Sequence, residues 1–416
     1  MALKNKKDKK DFNIVKNGTI TTVPGFYASG FHCGIKKSKK PDIGIIYAPE
    51  GGTCSGIFTT NNFLAAPVIV TMEKIKNDCT LKAVVVNSGI ANSCTGKQGY
   101  VNAKNTVDIA SEYLKVSSEE IAVSSTGIIG KQLPMDKIEK GIKKCYEMLN
   151  PRGGHDAAEA IITTDSKTKE VAVSIKAGSG REIVIGGIAK GSGMVKPGMA
   201  TLLVFITTSA GISKNLLDKI LHEEADSSFN SITIDGCQST NDMVLVMTNS
   251  KSGICIENED SEYYKAFKNA FSFVMKDLAE KIIMDGEGAT KFVKIKVTGA
   301  KDKLTAKKLA LKVADSNLFK TAMFGQDINW GRINAALGSA ECDFDPAKVD
   351  IYLNDILIVA GGVGADFDKV KTKKLMKKRK IGFTVDMNQG DGEFEVLTTD
   401  LSLDYIKINA LYKSSV

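Results

Sequence analysis

A hydroxyl residue at the head of an apolar run is the arrangement in this chain best suited to covalent chemistry. Between Lys190 and Ala210 the sequence reads KGSGMVKPGMATLLVFITTSA. A polar, glycine-rich loop stops at Ala200, and the apolar run Leu202–Ile206 follows directly after Thr201. Breaking the Ala200–Thr201 bond would give Thr201 a free α-amine beside its own hydroxyl. Such an amine titrates at about 8 and can act as a built-in general base for a threonine nucleophile. Attack of the Thr201 Oγ on the Ala200 carbonyl would form an ester that water then opens. Gly191, Gly193, Pro197 and Gly198 allow the tight backbone such a shift needs. Taken alone, the pattern fits a plain β-branched residue opening a strand better, because short motifs often match by chance.

A second segment, SSTGIIG at Ser124–Gly130, follows the apolar Ile121–Val123. At a turn there, Thr126 and Gly127 would offer a hydroxyl and an unhindered backbone N–H, donors that can hold an oxyanion. An ordinary strand-end turn is the plainer reading of the same residues. Other chemistries are poorly served. The three histidines, His32, His155 and His222, show no metal-ligand spacing, and neither HExxH nor GxSxG occurs. No metal site is expected. The loop GGIAKGSG lacks the GKS or GKT ending of a phosphate loop. It also precedes a strand, so no helix dipole is offered to a phosphate.

The elements that must position these residues are mixed. In the first half, Ala83–Gly89 and Glu182–Gly187 read as strands, and Thr201–Thr208 as a third. Two helices are expected there, Ala103–Lys115 and Pro134–Leu149. The second has Ile138, Ile142, Cys145 and Met148 at helical spacing. In the second half, Lys214–Glu224, Ser261–Met284 and Thr305–Asp315 read as helices. Tyr264, Phe267, Phe271, Val274, Leu278 and Ile282 line one face of the long one. Met243–Thr248 reads as a buried strand. Phe292–Thr298 alternates Val293, Ile295 and Val297 with Lys294, Lys296 and Thr298, the strand period. From Val349 onward strands and hairpins are expected, with a turn at Gln389–Phe394. No regular βαβ period appears, so the fold class is α+β, with layered sheets and helices.

The chain has 416 residues, 43% of them hydrophobic and 25% charged, an ordinary globular composition. Length predicts two or three structural units. No apolar run reaches the roughly 18–20 residues of a membrane helix, and the charged N-terminus has no apolar signal region. The eight scattered cysteines lack any CxxC pair and read as reduced, mostly buried thiols of a cytoplasmic protein. The net charge of +8 is uneven: Met1–Lys10 and Lys369–Lys380 together carry +12, leaving −4 for the rest. That pattern suits a solvated arm and an exposed helix or loop better than a nucleic-acid face, and no aromatic residues interleave the cations.

The ordered motifs together resemble the glutamate N-acetyltransferase (ornithine acetyltransferase) family of arginine biosynthesis, over almost the whole chain. KGSGMVKPGMATLL is similar to its self-cleavage segment and SSTGIIG to its oxyanion-hole segment. GFYASGFHCGIKKSKKPDIGIIYA (Gly25–Ala48), GIFTTNNFLAAPV (Gly56–Val68), VVVNSGIANSCTG (Val84–Gly96) and ITTD (Ile162–Asp165) also match. So do DGCQSTND (Asp235–Asp242), DGEGATK (Asp285–Lys291), FGQDINWGRINAALG (Phe324–Gly338) and YIKINALYKSS (Tyr405–Ser415).

The resemblance implies a self-processing, N-terminal-nucleophile-like acyltransferase with a DmpA/ArgJ-like fold. It implies cleavage between Ala200 and Thr201 into residues 1–200 and 201–416, and a heterotetramer of two such pairs. Thr201 would be the nucleophile, Thr126 and Gly127 the oxyanion hole. Thr164 (preferred to Thr163), Lys190, Thr201, Glu287, Asn409 and Ser414 would bind substrate. A cation suits an amino acid's carboxylate, and an acid suits ornithine's second ammonium. The expected reaction carries acetyl from N2-acetylornithine to glutamate with no cofactor, acetyl-CoA being left open as a co-substrate. Two other readings are an N-terminal-nucleophile aminopeptidase or amidohydrolase, with water in place of glutamate, and a basic nucleic-acid-binding protein. The sequence departs from the family's usual pattern at Gly198, at Cys237-Gln238 and at Ser414.

Overall fold

A computed structural model describes residues 11–75, 80–197 and 202–411. Ala200, Thr201, Gly198, Cys79 and Ser414 lie outside the described residues.

Nine strands form a large sheet. From one edge they run Asn13–Ile14, Lys169–Lys176, Glu182–Lys190, Leu203–Thr208, Met243–Thr248, Ile43–Phe58, Thr80–Ile90 and Ile121–Ile128, with Tyr27–Phe31 pairing to the long strand. The long strand serves two halves. Its beginning pairs with Tyr27–Phe31 and Thr80–Ile90, and after a register shift between Tyr47 and Gly52 its end pairs with Met243–Thr248. The sheet thereby doubles over. Leu203, Phe205, Val184 and Ile188 of one half share a core with Ile46, Val84 and Val86 of the other. Val204 and Ile206 point the opposite way, onto helices Lys214–Asp226 and Tyr264–Met284. The apolar run after Thr201 is continuous because both faces of its strand are buried. Helices Gly96–Leu114 and Met135–Met148 cover the other half.

A six-stranded sheet follows, ordered Val363–Gly364, Ile356–Ala360, Asp350–Leu353, Lys380–Asp386, Phe292–Ala300 and Gly392–Thr399. Val293, Ile295 and Val297 enter its core, while Lys294 and Lys296 face outward and pair with Glu395 and Glu393. The whole is α+β in layers. Among the described residues no helix is long and apolar enough to cross a membrane.

Several expectations need correction. Among the described residues four α-helices precede Lys190, not two: Ala66–Ile75 and Gly154–Ile161 are only ten and eight residues long, too short for their periodicity to stand out. The helix expected from Ala103 begins at Gly96, because Gly and Asn in its first turns weaken the periodic signal. Met148 is exposed. Helices Asn317–Phe324 and Trp330–Gly338 stand where none was expected. The cysteines are not mostly buried: Cys33, Cys54 and Cys145 are, whereas Cys94, Cys237 and Cys255 are exposed and Cys342 is intermediate. The basic segment is an exposed helix, Lys369–Met376, running into a strand.

Candidate active site

Every expected site residue that the structure describes lines one cavity of about 350 Å³: Thr126, Gly127, Thr164, Lys190, Glu287 and Asn409, together with Thr163. Thr126 and Gly127 are not in a free turn. They end strand Ile121–Ile128 and pair in parallel with Ser88 and Gly89. Gly127 has φ +130°, and a Cβ there would lie 2.2 Å from the Gly89 carbonyl carbon. Only glycine permits that approach. Asn241 fixes this corner, its Nδ2 donating to the carbonyls of Ser125 (2.9 Å) and Ala91 (2.6 Å).

Lys190 ends strand Glu182–Lys190, opposite Leu203. It is 3% exposed, and its Nζ donates to Thr126 Oγ1 at 3.1 Å. Burial pushes its pKa down, and the Asp165 carboxylate opposes this. A buried cation on the Thr126 hydroxyl makes that corner favourable to negative charge. Lys190 thus sets a buried ammonium against the Thr126–Gly127 corner of the cavity.

The glycine loop after Lys190 is tied down at each step. The Gly191 N–H donates to Asp165 Oδ1 (2.8 Å), and the Lys169 ammonium bridges Asp165 (2.7 Å) and Asp285 (2.6 Å). Burial raises the Asp165 pKa, but Lys169, Lys190 and the Gly191 N–H outweigh it and hold it at about 2. The hydroxyls of Thr164 and Ser192 lie 2.9 Å apart, and the Glu287 N–H donates to the Ser192 carbonyl at 2.7 Å. Asn409 Nδ2 donates to Glu287 Oε2 at 2.8 Å from helix Leu403–Ala410. Tyr405 anchors that helix: its hydroxyl donates at 2.9 Å to Asp235, which also accepts the Met194 N–H (2.6 Å) and the Val195 N–H (3.0 Å). A carboxylate, an amide, an ammonium, a hydroxyl and a glycine backbone thus converge from distant segments.

Sequence reasoning matched the segment Asp235–Asp242 without assigning its residues. Ser239, Thr240 and Asn241 line the cavity. Asp242 Oδ1 accepts the Leu202 N–H at 2.9 Å, so the residue next to Thr201 is anchored beside them. The available signal was a polar run, STND, placed directly before the buried strand MVLVMT.

Comparison with known proteins places the chain. The ArgJ family model matches residues 27–414. The chain is 43% identical over 407 residues to the arginine biosynthesis bifunctional protein ArgJ of Staphylococcus aureus (strain Mu50), covering 97% of each chain. To the protein of that name from Symbiobacterium thermophilum it is 42% identical over 399 residues, covering 95% of this chain and 99% of the relative. Among solved structures, ArgJ from Bacillus halodurans matches 45% of this chain and 96% of its own at 38% identity, with a TM-score of 0.42. Ornithine acetyltransferase from Mycobacterium tuberculosis, solved with ornithine, matches 45% and 98% at 34% identity, also with a TM-score of 0.42. A family match from residue 27 to residue 414, and relatives this similar along their whole length, identify the chain as a member of the ArgJ family, the acyltransferases of arginine biosynthesis.

Proposed function

We propose that the chain cleaves itself between Ala200 and Thr201 and then carries acetyl from N2-acetylornithine to glutamate through an acetyl-Thr201 ester. The freed α-amine takes the Thr201 hydroxyl proton as Oγ attacks the acetyl carbonyl. Thr126 Oγ1 and the Gly127 N–H donate to the developing oxyanion, with the Lys190 charge behind Thr126. Ornithine leaves with the proton, and glutamate attacks the ester by the same route reversed. Lys190 suits a substrate α-carboxylate, and Glu287 with Asn409 suits ornithine's side-chain ammonium. Thr164 and Ser414 complete the substrate contacts in this reading. The route uses no metal or prosthetic group, and acetyl-CoA enters only as an alternative acetyl donor.

The observation that carries this reading is the convergence in one cavity of the Thr126–Gly127 donor pair, the Lys190 cation and the Glu287 acid. Strands Glu182–Lys190 and Leu203–Thr208 are hydrogen-bonded neighbours, which supports the two cleaved chains staying joined. We place the product in the cytoplasm as a dimer of such pairs.

Denaturing mass spectrometry with a transfer assay tests it. Two polypeptides are expected, the first ending at Ala200, with turnover of acetylornithine that depends on glutamate. Thr201→Ala should give one intact, inactive chain. An active enzyme that stays uncleaved would exclude the mechanism, and turnover indifferent to glutamate would make the protein a hydrolase. Assay with glutamate and acetyl-CoA alone decides the second donor.

A further inference from the structure

Ser192 stands in the glycine loop after Lys190 and is 1% exposed. Its carbonyl accepts the Glu287 N–H, and its hydroxyl lies 2.9 Å from that of Thr164. Among the described residues Thr164 is the one hydrogen-bond partner of the Ser192 hydroxyl. The backbone on both sides of this contact is fixed. The buried Lys36 ammonium donates to the Ile162 carbonyl at 2.6 Å. Asp165 accepts the Thr163 N–H at 3.1 Å and the Gly191 N–H at 2.8 Å. Asp165 thereby clamps the segment that carries Thr164 against the loop that carries Ser192.

Two hydroxyls can share a hydrogen bond in either direction, and their surroundings select which. Were Thr164 the donor, the Ser192 proton would be enclosed without an acceptor, which costs the desolvation of an O–H. With Ser192 as donor, every proton is placed: Ser192 gives its own to Thr164 Oγ1, and Thr164, which lines the cavity, keeps its proton for a ligand. The Lys190 ammonium lines the same cavity. A donor hydroxyl and an ammonium together suit a carboxylate, whereas a substrate ammonium would need an acceptor.

We propose that Ser192 is a positioning residue: by donating to Thr164 Oγ1 it commits the Thr164 hydroxyl to donate to the α-carboxylate that acetylornithine and glutamate share. This rests on the transferase reading above, in which Thr164 touches substrate.

Steady-state kinetics of the purified enzyme, with acetylornithine and glutamate varied in turn, tests this. Ser192→Ala removes one enclosed oxygen and should keep the melting temperature. KM for both substrates should rise together by roughly 3–10-fold with kcat nearly unchanged, the pattern of weakened binding. Thr164→Val should raise both by about ten-fold or more, and adding Ser192→Ala to Thr164→Val should change neither further. Unchanged KM values in Ser192→Ala, with raised values in Thr164→Val, overturn the role of Ser192 and leave the transferase reading standing. A further rise in the double variant overturns action through Thr164, and a rise for acetylornithine alone overturns the carboxylate assignment. Unchanged values in Thr164→Val remove Thr164 as a substrate contact and the proposal with it. Wild-type turnover indifferent to glutamate overturns the transferase reading and the shared carboxylate together. If Ser192→Ala does not fold, Ser192→Cys, whose thiol is a weak donor, takes its place. The same paired rise is then expected, smaller in size, and unchanged values overturn the proposal.

Discussion

Lys190 and Thr126 meet at 3.1 Å although their strands lie five places apart in the order of the large sheet. The doubled sheet brings the ends of strands Glu182–Lys190 and Ile121–Ile128 over one another, so a buried ammonium rests on the proposed oxyanion donor. Lys190→Met should therefore slow acetyl transfer by roughly 10²–10³-fold, the cost of losing one such stabilising group. Because burial lowers the Lys190 pKa, the charge is lost as pH rises through that lowered value, and activity should fall with it. Arginine stays charged throughout. Whatever activity Lys190→Arg retains should lack this alkaline fall, and pH–rate profiles of the two enzymes check it.

Thr126 contributes a hydroxyl that a methyl cannot replace. Thr126→Ala should lower the acetyl-transfer rate constant by about 10²–10³-fold, and Thr126→Ser should restore most of it. Rapid-quench measurement of acetyl-enzyme formation reads that step alone. An unchanged rate constant in Thr126→Ala would leave oxyanion binding to the Gly127 N–H.

Glu287 is held from two sides, by Asn409 Nδ2 at 2.8 Å and by the close passage of Gly193. A Cβ on Gly193 would lie 2.5 Å from Glu287 Oε2, the far end of a side chain able to move. Gly193→Ala should thus keep its melting temperature yet displace the carboxylate. Losing a charge-assisted hydrogen bond to the ornithine ammonium is worth about 1.5–3 kcal/mol, so KM for acetylornithine should rise roughly ten-fold or more. KM for glutamate, which has no second ammonium, should change less. Equal changes in both would show that the acid does not read ornithine.

How much of this was legible beforehand follows from the range of each signal. Thr126, Gly127, Lys190, Glu287 and Asn409 sit in short ordered motifs, and the alternation at Phe292–Thr298 is local, so both could be read along the chain. The pairing of Lys190 with Thr126 depends on a sheet folding over, which no local pattern records. The burial of Asn241 and Asp242 has no local mark, because hydrophilic residues before a strand are ordinarily solvated; it comes from packing against Ala91, Ser125 and Leu202. The brief helices Asn317–Phe324 and Trp330–Gly338 take their stability from the core they cover, not from periodicity long enough to detect.

Lys169 joins three site segments through its contacts with Asp165 and Asp285, because Asp165 also holds Gly191, and Asp285 lies two residues before Glu287. Removing its charge would leave Asp285 without this ammonium and Asp165 with only the Lys190 charge. Lys169→Met should cost about 3–5 kcal/mol of stability, the range for breaking a buried ion cluster from one side. The acid behaviour has a definite sign. The Asp165 pKa is about 2 in the folded chain against an ordinary 3.8, so its ionised form favours folding. That contribution is complete above an ordinary aspartate's pKa and disappears as pH falls toward the folded value of about 2. Thermal melts from pH 6 to pH 2, an interval of roughly four units chosen to bracket both values, should show the wild type losing stability below about 4. In Asp165→Asn, less stable at neutral pH, that part of the decline should be missing. Parallel declines in both proteins would show that other carboxylates set the acid limit.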